Sequence, residues 1–178
     1  MDTSDAGNMP EIDELRVTPI DRTAVGEIIT WRYPPPYDLY NIGAQDAEVE
    51  IDAYLDPAYQ YYQMRNETGE LVAFFNFGVD ARVPGGDYSP EALDIGLGVH
   101  PDWTGSGYGS IFVQAVLRFA RQQQAPVCYR VTIAGFNRRA QRVWQKAGFS
   151  EVQKFQRPKD GMNFLIFTAD ADEIVWID

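Results

Sequence analysis

The chain has 178 residues, 45% of them hydrophobic and 13% aromatic, enough for one domain with a sizeable core. Its formal charge of −11 argues against nucleic acid as a partner, because phosphate binding needs a cationic face. No apolar run is long enough to span a bilayer, and a single cysteine, Cys128, offers no internal disulfide, so a cytoplasmic protein without membrane contact is expected.

The first stretch, MDTSDAGNMPEIDEL, carries Asp2, Asp5, Glu11, Asp13 and Glu14 with no basic residue, and lacks the regions of a signal peptide. Residues 1–12 are therefore expected to form a flexible acidic tail ahead of one domain over 13–178. ELRVTPI (14–20) alternates as a strand does. Asp21 suits the N-cap of a helix in DRTAVGEIITWR, where residues 25, 28 and 29 share a face. The prolines of YPPPYDLYN exclude a helix. DAEVEIDAYL (46–55) reads as a second helix. YQYYQMRNE and ELVAFFNFGV read as a hairpin around NETG, and residues 80–92 as a loop. A strand at 93–99, a helix at 108–122 and a strand at 127–134 follow. NRRAQRVWQKAG is a helix closed by Gly148, and FSEVQKFQ and MNFLIFTA are the last two strands. The order β-α-α-β-β-β-α-β-α-β-β describes a mixed α/β domain. The ADEIVWID tail suits either a partner subunit or its own domain.

One junction carries chemistry. In DIGLGVHPDWTGSGYG a strand runs into Gly105, Gly107 and Gly109 just before the longest helix. Free N–H groups and the helix dipole at such a start attract an anion, and glycines let the main chain come close to a phosphate. The spacing is neither G-x-G-x-x-G nor a Walker loop.

This junction resembles the Gln/Arg-x-x-Gly-x-Gly/Ala motif of the GCN5-related N-acetyltransferase (GNAT) superfamily, through Thr104, Gly107 and Gly109. FNRRAQRVWQKAGF resembles that family's Asn-x-x-Ala-x-x-x-Tyr-x-x-x-Gly-Phe segment, with Asn137, Ala140, Gly148 and Phe149 in register. The likeness covers most of residues 14–170. It implies a mixed, mostly antiparallel sheet of six to seven strands flanked by about four helices, and acetyl-CoA as co-substrate without a metal. By the same likeness, main-chain groups of Leu97, Gly98 and Val99 pair with the pantetheine arm, and an N–H near Val99 polarises the thioester carbonyl. Amides of Gly105, Ser106, Gly107, Tyr108, Gly109 and Ser110 hold the pyrophosphate, and Asn137 bonds the pantetheine. Asn137 equally suits a helix N-cap.

Two positions depart from the pattern. Thr104 replaces Gln or Arg, and Trp144 stands where many members carry an acidic tyrosine; an indole N–H is no acid near neutral pH. An alkylammonium of pKa near 10.4 is about 0.04% neutral at pH 7, so a base is in greater demand than an acid. The candidates are Asp94, at a position where the family often carries an acid facing the acceptor, and His100; Asp94 also reads as a solvated strand-end carboxylate. The resemblance places the acceptor site around WRYPPPYDLYN, where Trp31, Tyr33, Tyr37 and Tyr40 suit an aromatic wall and Asp38 a cation partner; a packed surface loop is the other reading. The implied activity is transfer of acetyl to a primary amine of a small molecule, by a monomer or homodimer. A peptide acceptor, through an N-terminus or lysine, and a non-catalytic acyl-CoA sensor remain alternatives.

Overall fold

The computed structural model describes residues 10–43, 45 and 47–177; Asp2, Asp5 and most of the expected acidic tail lie outside them. Seven strands form one sheet: β1 (Arg16–Pro19), β2 (Tyr61–Arg65), β3 (Leu71–Phe77), β4 (Leu93–Val99), β5 (Cys128–Ala134), β6 (Ser150–Gln156) and β7 (Asn163–Asp170). Four α-helices accompany it: α1 (Arg22–Ile28), α2 (Ala47–Leu55), α3 (Gly109–Gln124) and α4 (Arg138–Lys146). The sheet order is β1-β2-β3-β4-β5-β7-β6, and every neighbouring pair is antiparallel except β4 and β5. The element order and the mostly antiparallel sheet match the expectation.

The period of two along β3 divides the interior. Phe75 and Phe77 join the core beneath α3 and α4, with Phe112, Val116 and Leu117. Phe74 turns to the other face and meets Trp31 and Tyr54 under α1 and α2. Each fully buried Phe contributes about 1.5–3 kcal/mol, so the central strand is a main source of stability. The β2–β3 hairpin turns at NETG as expected: Asn66 N–H donates to Glu70 O at 3.0 Å, and Gly69 takes φ +86°.

Helix α1 is shorter than expected. It ends at Ile28, and Trp31, only 6% exposed, leaves the helical path to pack on Phe74. Burial of an indole outweighs another helical turn. The C-terminal segment lies on its own domain: Val175 N–H donates to Ala147 O, Gln114 Nε2 to Val175 O, and Arg121 stacks on Trp176. Among the described residues no helix is long and apolar enough to cross a membrane.

Asp21 caps α1, accepting from Ala24 N–H at 2.8 Å while Gln63 Nε2 donates to its other oxygen at 3.0 Å. These bonds, the Ala24 amide first, hold its carboxyl below the usual range. A depressed folded pKa gives stability that is complete above the unfolded value near 3.9 and lost as pH falls through the folded one. Asp21→Ala is expected to cost about 1 kcal/mol in urea denaturation at pH 7, with the gap to wild type closing under acid.

Candidate functional site

Strands β4 and β5 are paired only at one end, through Leu93–Tyr129, Asp94–Arg130 and Ile95–Val131. Beyond Ile95 they part, while Gly96 to Val99 stay on β3. His100 N–H bonds Val72 O, and Gly78 N–H bonds Asp94 O, which fixes the parity: even residues of β4 turn their main chain to β3. Leu97 and Val99 therefore present N–H and C=O to the side that β5 has left. This corrects the expectation for Gly98, whose main chain belongs to the β3 ladder. Gly96 and Gly98 serve close packing instead. A Cβ at Gly98 would stand 2.3 Å from the Phe74 ring, and one at Gly96 would stand 2.3 Å from Asn76 Oδ1.

The parting opens a cavity of about 670 Å³ that runs from the glycine turn to the loop at 31–42. Its first half faces α3 and α4. The sharp turn is made by Gly105 and Gly107 at φ +75° and +90°. Thr104 N–H bonds Pro101 O, and the next amide with a protein acceptor is that of Ile111, so among the described residues six successive amides, 105 to 110, have none. Tyr108 caps α3 without a side-chain bond. Arg139, Arg142 and Lys146 of α4 line the same half. The sequence reading missed these three, although a helix with four cations and no acid in an acidic chain was a visible signal. Free amides and cations together form a donor set that fits a phosphate-bearing coenzyme.

The second half is aromatic. Trp31, Tyr33, Tyr37 and Tyr40 all line it, joined by Tyr54 and Phe74. Loop 31–41 bridges the cleft: Tyr33 hydroxyl donates to Val99 O at 2.7 Å, and Asn137 Nδ2 donates to Tyr40 hydroxyl at 3.2 Å. Burial, with Tyr40 nearby, raises the Tyr33 hydroxyl pKa, so it stays a donor at any working pH. Tyr37 stacks under the Arg139 guanidinium at 3.8 Å, linking the two halves. Asn137 also caps α4 by accepting from Ala140 N–H at 3.1 Å. Asp38 is exposed and does not line the cavity. Asp80 does, with Tyr61 hydroxyl donating to its Oδ2 at 2.5 Å.

Neither candidate base lines the cavity. Asp94, 3% exposed, is gripped by Arg130 Nε at 2.6 Å and Nη2 at 2.8 Å, and by Arg82 Nε at 2.8 Å. Tyr88 lies under both guanidiniums. A carboxylate so engaged is a clamp between β4 and β5, which corrects its reading as base or solvated strand end. His100 Nδ1 accepts from Asp102 N–H at 3.1 Å, and its ring meets Trp31 edge-on. That bond spends the ring nitrogen a neutral imidazole would use as base. Trp144, 4% exposed, packs edge-on against Phe149 at 4.9 Å.

The family model "Acetyltransferase (GNAT) family" matches residues 25–149. The chain belongs to the GNAT acetyltransferase family. Solved structures agree in fold. An uncharacterized protein from Bacillus halodurans superposes with a TM-score of 0.74 at 17% identity, covering 89% of this chain and 85% of that one. A GNAT-family acetyltransferase from Bacillus anthracis gives 0.67 at 13%, covering 92% and 99%. A chimeric spermidine N-acetyltransferase SpeG from Vibrio cholerae and hSSAT gives 0.66 at 12%, covering 89% and 96%. No curated protein matches the chain.

Breaking a buried ion pair from one side costs about 3–5 kcal/mol. Asp94→Asn is expected to lose stability on that scale in chemical denaturation. A variant of wild-type stability that lost only turnover would return Asp94 to the chemistry.

Proposed function

We propose that this GNAT-family chain acetylates a primary amine of a small molecule with acetyl-CoA, through a single domain over residues 13–178. The observation that supports this most is the continuous cleft between β4 and β5. It joins a turn of free amides on one face of the sheet to an aromatic chamber on the other.

When bound, the coenzyme supplies an acetyl group activated as a thioester. The chain's own residues do the positioning. Amides of Gly105 to Ser110 hold the diphosphate, and Thr104 adds little, because its hydroxyl donates to Pro101 O at 2.7 Å. Arg139, Arg142 and Lys146 balance the phosphate charge. Leu97 N–H and C=O and Val99 N–H receive the pantetheine arm as an added strand and orient the acyl carbonyl. Asn137 keeps one amide hydrogen beyond its bond to Tyr40 for the same arm.

The chamber serves the acceptor. Its ring-lined interior disfavours the ammonium form, so an amine that moves in from the exposed rim gives up its proton to solvent there, the loss that attack requires. Trp144 supplies no acid. A thiol of pKa about 8.5 is a tolerable leaving group, so turnover survives that loss. The half-buried Tyr33 and Tyr37 that line it favour a small molecule over a peptide.

Two measurements check this reading. Free thiol released from acetyl-CoA over a panel of amines is expected to rise above the rate without amine. Binding of acetyl-CoA with no release from any amine would favour the sensor alternative. Ser106 is exposed at the turn, and Ser106→Glu is expected to weaken coenzyme A binding about tenfold or more in calorimetry without changing the melting temperature. Unchanged affinity would place the diphosphate elsewhere.

A further inference from the structure

The two halves of the cavity differ in charge. All three cationic side chains that line it, Arg139, Arg142 and Lys146, sit on α4 at the turn end. Among the described lining residues the aromatic half has a single carboxylate, Asp80, and the one lining cation against its rings is Arg139, whose guanidinium covers Tyr37 at the border with the turn half. Tyr61 fixes Asp80 through Oδ2; its hydroxyl is pushed far up by burial and by that bond, so it remains a donor. Oδ1 has no protein donor among the described residues. Asp80 is exposed, which places it at the rim, within reach of a cation arriving from solvent.

A second observation is independent of that charge. Asn76 lines the same half and is 4% exposed, yet its Nδ2 is buried without a hydrogen-bond partner. A buried amide nitrogen without a partner costs about 1–3 kcal/mol, and such groups normally find one. Its carboxamide lies over Gly96, at the point where β4 leaves β5. The sequence held a trace of this, a lone polar residue inside LVAFFNF.

Resting on the acetyltransferase reading, we propose that the acceptor is a monoamine on a flat, apolar body, and that Asp80 is the residue that binds its ammonium group. Six rings, from Trp31 round to Phe74, match such a body and add cation–π attraction at the rim. Asn76 Nδ2 donates to an oxygen brought in with the bound reactants. An amino acid is disfavoured, because its carboxylate, next to the ammonium group, would stand beside the Asp80 carboxylate. A polyamine is disfavoured, because its chain offers the rings no flat apolar face to cover.

The test compares three acceptors by thiol release: 2-phenylethylamine, phenylalanine, which adds a carboxylate, and spermidine, which adds charge and removes the ring. The expected order puts 2-phenylethylamine ahead in kcat/KM by about tenfold or more. Asp80→Asn should raise its KM about tenfold while the Kd for coenzyme A stays put. Preference for spermidine or phenylalanine, or an unmoved KM, would overturn the assignment and leave the acetyltransferase reading intact. If no amine releases thiol, that reading fails instead. Calorimetry of 2-phenylethylamine on the protein saturated with coenzyme A then decides: binding lost in Asp80→Asn supports the site, and absent or unchanged binding overturns it.

Discussion

Everything in this protein that bears on chemistry depends on where β4 stops pairing with β5. The Asp94–Arg130 ion pair closes the two strands at one end, with Arg82, Tyr88 and the Pro90 carbonyl packed around it. Arg130 is 2% exposed, so the pair works at low dielectric, where both charges must be fully engaged. Four hydrogen bonds converge there. From that clamp the strands diverge, and divergence frees the main chain of Leu97 and Val99 while it opens a passage through the sheet. An unpaired edge inside a domain is normally a liability. Here it lines the cavity.

The passage is lined by opposite demands, and the sequence meets them by separating residue types. The face toward α3 and α4 receives glycine at the turn and cations on α4; the opposite face receives tyrosine, tryptophan and phenylalanine. Loop 31–41 crosses between them, tied to β4 through Tyr33 and to α4 through Tyr40 and Tyr37. Arg139 stands between the turn and that loop: an added Cβ at Gly105 would lie 2.9 Å from its Nη1, and its guanidinium covers Tyr37. One side chain thus lies beside both the turn and the aromatic loop.

Much of this was legible in the sequence, and the limits have a physical cause. Periodicity and punctuation gave the element order, because they depend on residues two to four apart. The glycine spacing marked the turn, because positive φ is a local need. What failed was long range. Asp94 looked like a base while its partner lay 36 residues away, and nothing near Asp94 announces Arg130. Gly98 looked like a ligand-facing residue, although strand parity, visible only once β3 is placed, assigns its main chain to the ladder and its bare face to Phe74. Asp38 was the nearest acid to the aromatic loop in sequence, and Asp80 is the acid that lines the chamber in space. Asn137 caps α4 through Oδ1, and its Nδ2 bonds the Tyr40 hydroxyl, a partner 97 residues away that nothing beside it in sequence announces.

The direct test of the account is amide hydrogen exchange, read residue by residue, with and without coenzyme A. Among the described residues Leu97 N–H and the amides of Gly105 to Ser110 have no protein acceptor to slow them, and bonding to the coenzyme should slow each by about tenfold or more. Gly98 N–H, held by β3 in either state, should change little. Unaltered exchange at Leu97 and the turn in the saturated protein would contradict the claim that the parted strands form the coenzyme's seat.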